Sequence, residues 1–308
     1  MTQEVAGTAR TITVGLDGSP ESRAAAEWAA REAALRQVRV RLLHVWQPVP
    51  EPMAQAPLLG VETHQHWTDR IPRDTAEGLR LRHPGVEVTT EQATGTPADI
   101  LLAAARDAEL LVLGSRALSG LTGFLIGSVG QSVIARTEAP VILVRAGEQA
   151  ADERLKDPAG IPSAATGFRP VVVGLDAGSP GETVLSFAFE ESRRRRAPLI
   201  AVRAWNLPSS YTYSIAAGFD PREELARAQA EALTEALVPW REKYPDVEVT
   251  ETCRLGSPAE HLIDAAHDAS LVVVGRRIRR SPFGVHIGAV AHAVMHHATT
   301  PVAVVAHA

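Results

Sequence analysis

The sequence predicts an α/β protein built from two similar halves, each a parallel β-sheet with helices on both faces. Short apolar runs rich in β-branched residues alternate with longer helical patterns, and the apolar runs show little two-residue alternation. This combination is typical of parallel sheets that are covered on both sides. The stretch Leu110–Arg145 also has a counterpart in Leu271–Val305, at an offset of 161 residues. The matched residues are Gly114 and Gly275, Gly127 and Gly288, and Pro140 and Pro301.

The repeat predicts two domains. A chain of 308 residues is long enough for two domains of ordinary size. Asp17 and Asp176 each follow the first apolar run of a half, so the repeat spans a whole domain. Residues 148–167 are rich in alanine, glycine, proline and charge, a composition typical of a flexible linker. We therefore predict one domain over residues 1–147, a linker over 148–167 and a second domain over 168–308.

In the first half, the predicted strands and helices alternate. Ser19 and Pro20 suit the cap and first turn of the first helix, a Gly-Thr-Pro turn at 95–97 leads into the third, and Pro140 ends the fourth. Pro72 lies inside the second helix and is expected to break or kink it. The predicted strands are Thr11–Leu16, Val38–Trp46, Val86–Ala93, Leu110–Leu113 and Val141–Val144. The predicted helices are Glu21–Gln37, Val61–Arg82, Ala98–Arg106 and Ser128–Thr137.

The second half follows the same order. Pro239 is expected to interrupt its second helix, and a Gly-Ser-Pro turn at 256–258 leads into its third. The last helix is expected between the fourth and fifth strands. The predicted strands are Phe168–Leu175, Leu199–Ala204, Val247–Cys253, Leu271–Val274 and Val302–Val305. The other predicted helices are Gly181–Arg196, Pro221–Tyr244 and Ala259–His267.

Composition argues against several classes of protein. No apolar run approaches the roughly 18–20 residues that span a bilayer, and the first residues lack the basic start and apolar core of a secretory signal. The net charge of −5 gives no general reason to bind nucleic acid. Cys253 is the only cysteine, so neither an intramolecular disulfide nor a cysteine-based zinc site is expected. We expect a cytoplasmic protein that binds neither membranes nor nucleic acid.

The carboxyl ends of the strands form the predicted ligand site, because parallel sheets bind ligands there. Asp17 and Asp176 follow the first strands, and Gly114 and Gly275 follow the fourth, so each half places an aspartate opposite a glycine loop. Such a loop and the helix after it offer backbone N–H groups to phosphates, and the aspartate can accept hydrogen bonds from ribose hydroxyls. The backbone near the end of the second strand could form hydrogen bonds with the edge of an adenine ring. Neither lysine of the chain follows a glycine loop, so a Walker-type loop is excluded.

These residues resemble the universal stress protein family, here as a tandem pair that covers nearly the whole chain. ATP-binding members carry a glycine, two residues, a second glycine, nine residues and then Gly-Ser or Gly-Thr. The first half keeps this spacing in Gly114, Ala117 and Gly127-Ser128. The resemblance implies two Rossmann-like domains, each with a five-stranded parallel sheet of order 3-2-1-4-5. It also implies ATP as a ligand, with Mg²⁺ held through ATP and the strand-end aspartates as candidate ligands. The implied ATP-binding residues are Gly15, Asp17, Val45, Gly114, Arg116, Ala117, Gly127, Ser128, Val129, Gly174, Asp176, Ala204, Gly275, Arg277, Gly288, Ala289 and Val290.

Both halves depart from the family motif. Ala117 replaces the second glycine, and the added methyl group is costly only where φ is positive. In the second half, Ile278 stands at the same position and Ala289 lacks the hydroxyl group of Ser128. Four arginines of that loop could replace lost phosphate donors. They are Arg276, Arg277, Arg279 and Arg280.

The favoured function is an ATP-binding regulatory or stress-response protein. The sequence lacks a recognisable nucleophile–base pair, a Walker lysine and an acidic metal cluster, so we expect slow ATP hydrolysis at most. A nucleotide-free interaction module stays open as an alternative, supported by Ala117, Ile278 and Ala289. ATP pyrophosphatases and nucleotidyl transferases of similar fold usually carry a serine- and glycine-rich loop after the first strand. The Asp-Gly-Ser-Pro at 17–20 argues against them.

Two further patterns have competing interpretations. His292 and His296 lie one helical turn apart and could bind a metal, but no carboxylate or cysteine joins them at a useful spacing. A pair on a helix face is the simpler interpretation. The fifth strands, Val141–Val144 and Val302–Val305, are apolar sheet edges, and such edges favour pairing. We predict that the two halves pack through them as an internal pseudo-dimer, while further assembly, such as a homodimer, stays open.

Overall fold

The protein is described here from a computed structural model, which places residues 10–47, 61–117, 124–161, 163–176, 181–207, 222–278 and 287–308. For residues 61–69, 116–117 and 124–125 it describes the backbone alone. The chain divides into two compact units, Met1–Gln149 and Ala150–Ala308. The predicted domains 1–147 and 168–308 stay a prediction. Each unit is described by itself.

The first unit is a five-stranded parallel sheet of order β3-β2-β1-β4-β6, as the family resemblance implies. A two-residue strand, β5, pairs antiparallel with the end of β4 and is the addition that the sequence did not predict. Helices α1 and α2 pack together, and α3 packs against α4, so the sheet is covered on both faces. The elements in order are β1 (Thr11–Leu16), α1 (Pro20–Arg36), β2 (Arg39–Trp46), α2 (Val61–Arg82), β3 (Val88–Thr94), α3 (Pro97–Ala105), β4 (Leu110–Ala117), β5 (Phe124–Leu125), α4 (Ser128–Arg136) and β6 (Val141–Arg145).

The second unit has the same topology, with the order β11-β10-β7-β8-β9. Helix α5 packs against α6, and α7 packs against α8. The elements in order are β7 (Val171–Gly174), α5 (Glu182–Arg195), β8 (Leu199–Trp205), α6 (Arg222–Lys243), β9 (Val249–Leu255), α7 (Pro258–Ala266), β10 (Leu271–Arg277), α8 (Ala289–His297) and β11 (Val302–His307).

Helix α1 begins and ends with the local chemistry that its sequence indicates. Ser19 is the N-cap, and its hydroxyl oxygen accepts the backbone N–H of Ser22 at 3.1 Å. Pro20 occupies the first turn, where a missing N–H costs nothing. The helix ends at Gln37, which takes a left-handed conformation with φ of 57°. These ends place the buried face of α1, with Trp28 at its centre, against β1, β4 and β6.

The two internal prolines do not interrupt their helices, which corrects the predicted breaks, while a kink at Pro72 stays a prediction. Helix α2 runs through Pro72 and α6 runs through Pro239. A proline removes one helical hydrogen bond, but burial of the helix face compensates for that loss. In α2 the buried residues after the proline are Ala76 and Leu79, and in α6 Leu237 is buried just before it.

The fourth strand is longer than predicted, because Gly114 does not end it. Strand β4 continues through Gly114 and Ser115, which pair with Val144 and Arg145 of β6. A Cβ atom on Gly114 would lie 2.5 Å from the backbone carbon of Glu21 in α1. The glycine is therefore required by the close approach of a helix to a strand, independently of any ligand.

The segment predicted as a flexible linker instead contains hydrogen-bonded turns. Arg154 and Phe168 form an antiparallel bridge, and the Arg154 guanidinium carbon lies 3.5 Å from the centre of the Phe168 ring. The carboxylate of Asp157 accepts the backbone N–H groups of Ala159 and Ile161, both at 2.9 Å. Local hydrogen bonds of this kind compete with the flexibility that the glycine, alanine and proline content predicts.

The stability of the first unit should depend on pH through Glu27. Burial alone would raise the pKa of Glu27, but hydrogen bonds from Arg82 and His83 outweigh it and hold the pKa below its ordinary value of 4.5. A lowered pKa in the folded state stabilises the fold above the unfolded-state pKa, and that contribution is lost as the pH falls through the folded-state value. We expect Glu27→Gln to lower the free energy of unfolding by less than about 1 kcal/mol at pH 7. The difference should shrink below about pH 4.

Urea denaturation of the full chain at both pH values measures this effect. Glu77→Gln is the matched control, because Glu77 is exposed on the same helix as Arg82. Equal effects of the two substitutions at every pH would contradict the role of Glu27.

Candidate functional site

The first unit has a cavity of about 310 Å³ at the carboxyl ends of β1, β2 and β4, where the strand order reverses. The start of α4 closes one side. The predicted residues of this half line the cavity, except Arg116 and Ala117, whose side chains lie outside the described part of the chain. The lining residues are Gly15, Leu16, Asp17, Ser19, Glu21, Ser22, Leu43, Val45, Pro97, Leu101, Leu113, Gly114, Gly127, Ser128, Val129 and Gly130.

Asp17 is exposed at the mouth of the first cavity and also organises the turn before α1. One of its carboxylate oxygens accepts the backbone N–H of Ser19 at 3.0 Å and the Ser19 hydroxyl group. The backbone N–H of Asp17 in turn approaches the hydroxyl oxygen of Ser22 at 3.4 Å. Asp17 can therefore stabilise this turn and also contact a ligand.

The start of α4 supplies the chemistry for an anion. Gly127 is its N-cap, and no side chain caps the helix there. The backbone N–H groups of a first helical turn have no partner within the helix, and the helix dipole adds positive potential. Ser128 and Val129 follow along the cavity wall. This end of the cavity can therefore bind a phosphate group.

The second unit has a cavity of about 510 Å³ in the equivalent place. All of the predicted ATP-binding residues of this half line it. Of the four loop arginines, Arg277 lines the cavity and the buried Arg276 does not. Arg279 and Arg280 lie outside the described residues. At its mouth an Nη of Arg277 lies 3.5 Å from a carboxylate oxygen of Asp176. The lining residues are Gly174, Leu175, Asp176, Gly181, Val184, Val202, Ala204, Pro258, Leu262, Val274, Gly275, Arg277, Ile287, Gly288, Ala289, Val290, Ala291 and His307.

Sequence reasoning missed the apolar floor of both cavities. Leu101 of α3 and Leu262 of α7 lie against the first-strand glycines: a Cβ atom on Gly15 would be 3.2 Å from Leu101, and one on Gly174 would be 2.7 Å from Leu262. The helical spacing of these leucines predicts burial but not the side of the sheet on which a ligand lies. His307, the last residue of β11, was also missed, because the first half has no histidine at the matched position.

The departures from the family motif carry no backbone strain. Ala117 lies in β4, paired with Phe124, and extended backbone accommodates any side chain. Among the described residues, the non-glycine positions with positive φ are Gln37 and Arg196 alone. The backbone N–H of Ile278 donates to the carbonyl oxygen of His307 at 2.6 Å, so the second half uses this donor within its own fold.

The residues present fit a magnesium ion only when phosphate oxygens join them. Within the described ranges, no group of three histidine, cysteine or acidic side chains could hold a metal ion. Asp17 and Asp176 are candidate single ligands, and Mg²⁺ prefers near-octahedral oxygen coordination with several waters or phosphates. The rings of His292 and His296 have centroids 4.3 Å apart. Burial and the charge of His296 lower the pKa of His292.

Comparison with known proteins identifies the family of this chain. The model of the universal stress protein family matches residues 8–145 and again residues 167–306. The chain belongs to the universal stress protein family. It is a tandem member, since two family domains lie in one chain. This confirms the resemblance seen in the sequence.

Relatives of the same length support the tandem arrangement. A universal stress protein of Mycolicibacterium smegmatis is 34% identical over 301 residues, which cover 96% of each chain. One from Mycobacterium tuberculosis is 33% identical over 310 residues, covering 95% of this chain and 96% of the relative. The crystal structure of a universal stress protein from Archaeoglobus fulgidus matches with a TM-score of 0.68 at 16% identity, covering 97% of this chain and 98% of that one. This structural match supports the Rossmann-like fold.

The helices of the described residues do not have the length and apolar character that crossing a membrane requires.

Proposed function

We propose that this universal stress protein binds ATP in both cavities and acts as a regulatory protein in a stress response. One observation carries the proposal: in each unit a strand-end aspartate, a motif glycine and an uncapped helix start line the same cavity. Both cavity volumes fall within the range of about 300–1,000 Å³ that small-molecule sites occupy. An apolar floor under a few polar groups is the usual character of such sites.

The proposed binding mode follows the order of the strands. The adenine lies against the backbone at Val45 or Ala204, near the end of the second strand of each unit. The ribose lies at Asp17 or Asp176, and the phosphates lie at the start of α4 or α8. Magnesium enters with the phosphates, which supply most of its oxygen ligands when it is bound.

The proposal is a binding protein rather than an enzyme, with slow ATP hydrolysis at most. In the first cavity the Ser19 hydroxyl group donates to the Asp17 carboxylate, but the Ser19 oxygen also accepts the backbone N–H of Ser22. We assign this pair to the cap of α1 rather than to a nucleophile and its base. Bound nucleotide would act by favouring one arrangement of the surrounding loops over another. A cytoplasmic location, the pseudo-dimer through the fifth strands and a homodimer stay predictions from the sequence.

Calorimetric titration of Mg·ATP into nucleotide-free protein tests the proposal. We expect two sites in the wild-type chain. Asp17→Ala and Asp176→Ala should each weaken one site by about tenfold or more, because each removes a charged hydrogen-bond acceptor for the ribose. Asp107→Ala and Asp268→Ala are matched controls, because these exposed aspartates precede β4 and β10 outside both cavities.

The alternatives predict different results. A wild-type chain that binds no ATP would overturn the proposal and favour a nucleotide-free interaction module. A single site that is lost only with Asp17→Ala would restrict binding to the first unit. Release of phosphate during the titration would identify a slow ATPase.

A further inference from the structure

His307 occupies a position in the second cavity that has no counterpart in the first. Strand β11 pairs with β10 through Arg277 and His307, one residue further than the matched pairing of β4 with β6. In the first unit the residue at the matched position is Ala146, which is exposed in a turn. The extra paired residue brings an imidazole ring to the cavity wall.

Two glycines make room for this ring. A Cβ atom on Gly181, at the start of α5, would lie 2.8 Å from the imidazole, and one on Gly275 would lie 2.9 Å from it. In the first unit, the space beside the motif glycine Gly114 is taken by the backbone of Glu21 instead. The imidazole therefore stands beside the motif glycine where the other unit has the first turn of a helix.

The strand order places His307 at the phosphate end of a bound nucleotide. Along the sheet edge, β8 carries the proposed adenine contact, Asp176 follows β7, and β10 carries Gly275 and Arg277. Strand β11 is next in this order. A nucleotide that runs from β8 across β7 to β10 points its outermost phosphates towards β11.

The second cavity also needs a donor at this end. The backbone N–H of Ile278 is used by the carbonyl group of His307, and Ala289 has no hydroxyl group. Arg277 is engaged with Asp176 at the mouth. A further cationic donor near Gly275 would compensate for these changes.

The hydrogen bond of His307 determines what its second nitrogen can do. Nδ1 lies 2.9 Å from the backbone oxygen of Ala308, and because an oxygen of this kind only accepts, Nδ1 carries the hydrogen. Nε2 is then an acceptor in the neutral ring and a donor in the protonated ring. A phosphate next to Nε2 is therefore bound by the protonated form.

We infer that His307 is a specificity-determining residue of the second cavity, which contacts the outer phosphates and makes that cavity prefer nucleoside di- and triphosphates to monophosphates. The inference rests on the proposed nucleotide binding and adds the residue that distinguishes nucleotides by the number of their phosphate groups.

Calorimetry with ATP, ADP and AMP tests this inference in the full chain carrying Gly127→Phe, a substitution that we expect to close the first cavity because Gly127 lines it. His307→Ala should weaken ATP about tenfold, the effect expected for losing a hydrogen bond to a charged group, and leave AMP unchanged. His307→Gln keeps a donor and should retain ATP binding. His297→Ala, on the exposed side of α8, is the matched control.

Each result has a definite meaning. Equal weakening of ATP and AMP by His307→Ala would assign the residue a structural role and overturn the inference, while leaving nucleotide binding intact. Unchanged ATP affinity in His307→Ala would overturn it as well. A wild-type chain that binds none of the three nucleotides would overturn the proposed function and this inference with it.

Discussion

Replacing Gly288 with phenylalanine should abolish nucleotide binding at the second cavity and leave the first one intact. Gly288 is the N-cap of α8, with φ of −60° and ψ of 149°, a conformation open to any L-residue. A Cβ atom added there meets no atom of the described residues within 4 Å, although Gly288 lines the cavity. A side chain at this position therefore begins in open space beside the cavity, without a clash between its Cβ atom and the described residues. We expect ATP affinity at that site to fall by about a hundredfold or more, since the ring takes the place of the phosphates.

Gly127→Phe is the reciprocal substitution in the first unit. Gly127 has the same conformation, with φ of −59°, and a Cβ atom there is equally unobstructed by the described residues. Calorimetry should give one site for either single variant and none for the double variant. Gly85→Phe, in the turn before β3, controls for a surface phenylalanine, because Gly85 has open space and lies outside both nucleotide cavities. Two sites of unchanged affinity in both single variants would place the nucleotide elsewhere.

Replacing Glu191 with alanine should lower the free energy of unfolding by about 3–5 kcal/mol. The Glu191 carboxylate forms ion pairs with Arg194 at 2.5 Å and with Arg195, and the side chains of Glu191 and Arg195 are each only 1% exposed. Loss of the carboxylate leaves the buried guanidinium group of Arg195 without this counter-charge, which is far costlier than loss of a surface pair. Denaturation of the full chain, followed by circular dichroism, measures the change.

Two further variants separate charge from packing at this site. Glu235→Ala removes an exposed carboxylate from α6 and should change stability by no more than about 0.5 kcal/mol. Combining Glu191→Leu with Arg195→Met replaces both partners with apolar side chains and should recover most of the loss. A double variant as unstable as Glu191→Ala would assign the effect to packing.

Local signals in the sequence predicted most of the fold. The bounds of β1 and α2 match the prediction, and the capping residues Ser19 and Pro20 begin α1 as expected. These features depend on hydrogen bonds and periodicities within a few residues of each other. The internal repeat supported these assignments further, because the same order of strands and helices is predicted in both halves.

The errors arise where a distant part of the fold decides the outcome. Gly114 ends an apolar run, yet pairing with β6 extends the strand beyond it. Pro72 weakens a helix, yet burial of Ala76 and Leu79 keeps it continuous. No pattern in the sequence points to His307, because the position of its ring depends on one extra residue pair between β10 and β11. Long-range packing of this kind has no signature in a local pattern.

The tight contact between Gly114 and α1 bears on how such domains change over evolutionary time. A descendant of the first domain that no longer binds a ligand is still under selection to keep Gly114, because any side chain would collide with the backbone of Glu21. Gly127 has no such constraint among the described residues. A domain in which Gly127 is substituted and Gly114 is retained has therefore lost the selection for ligand binding while selection for its fold continues.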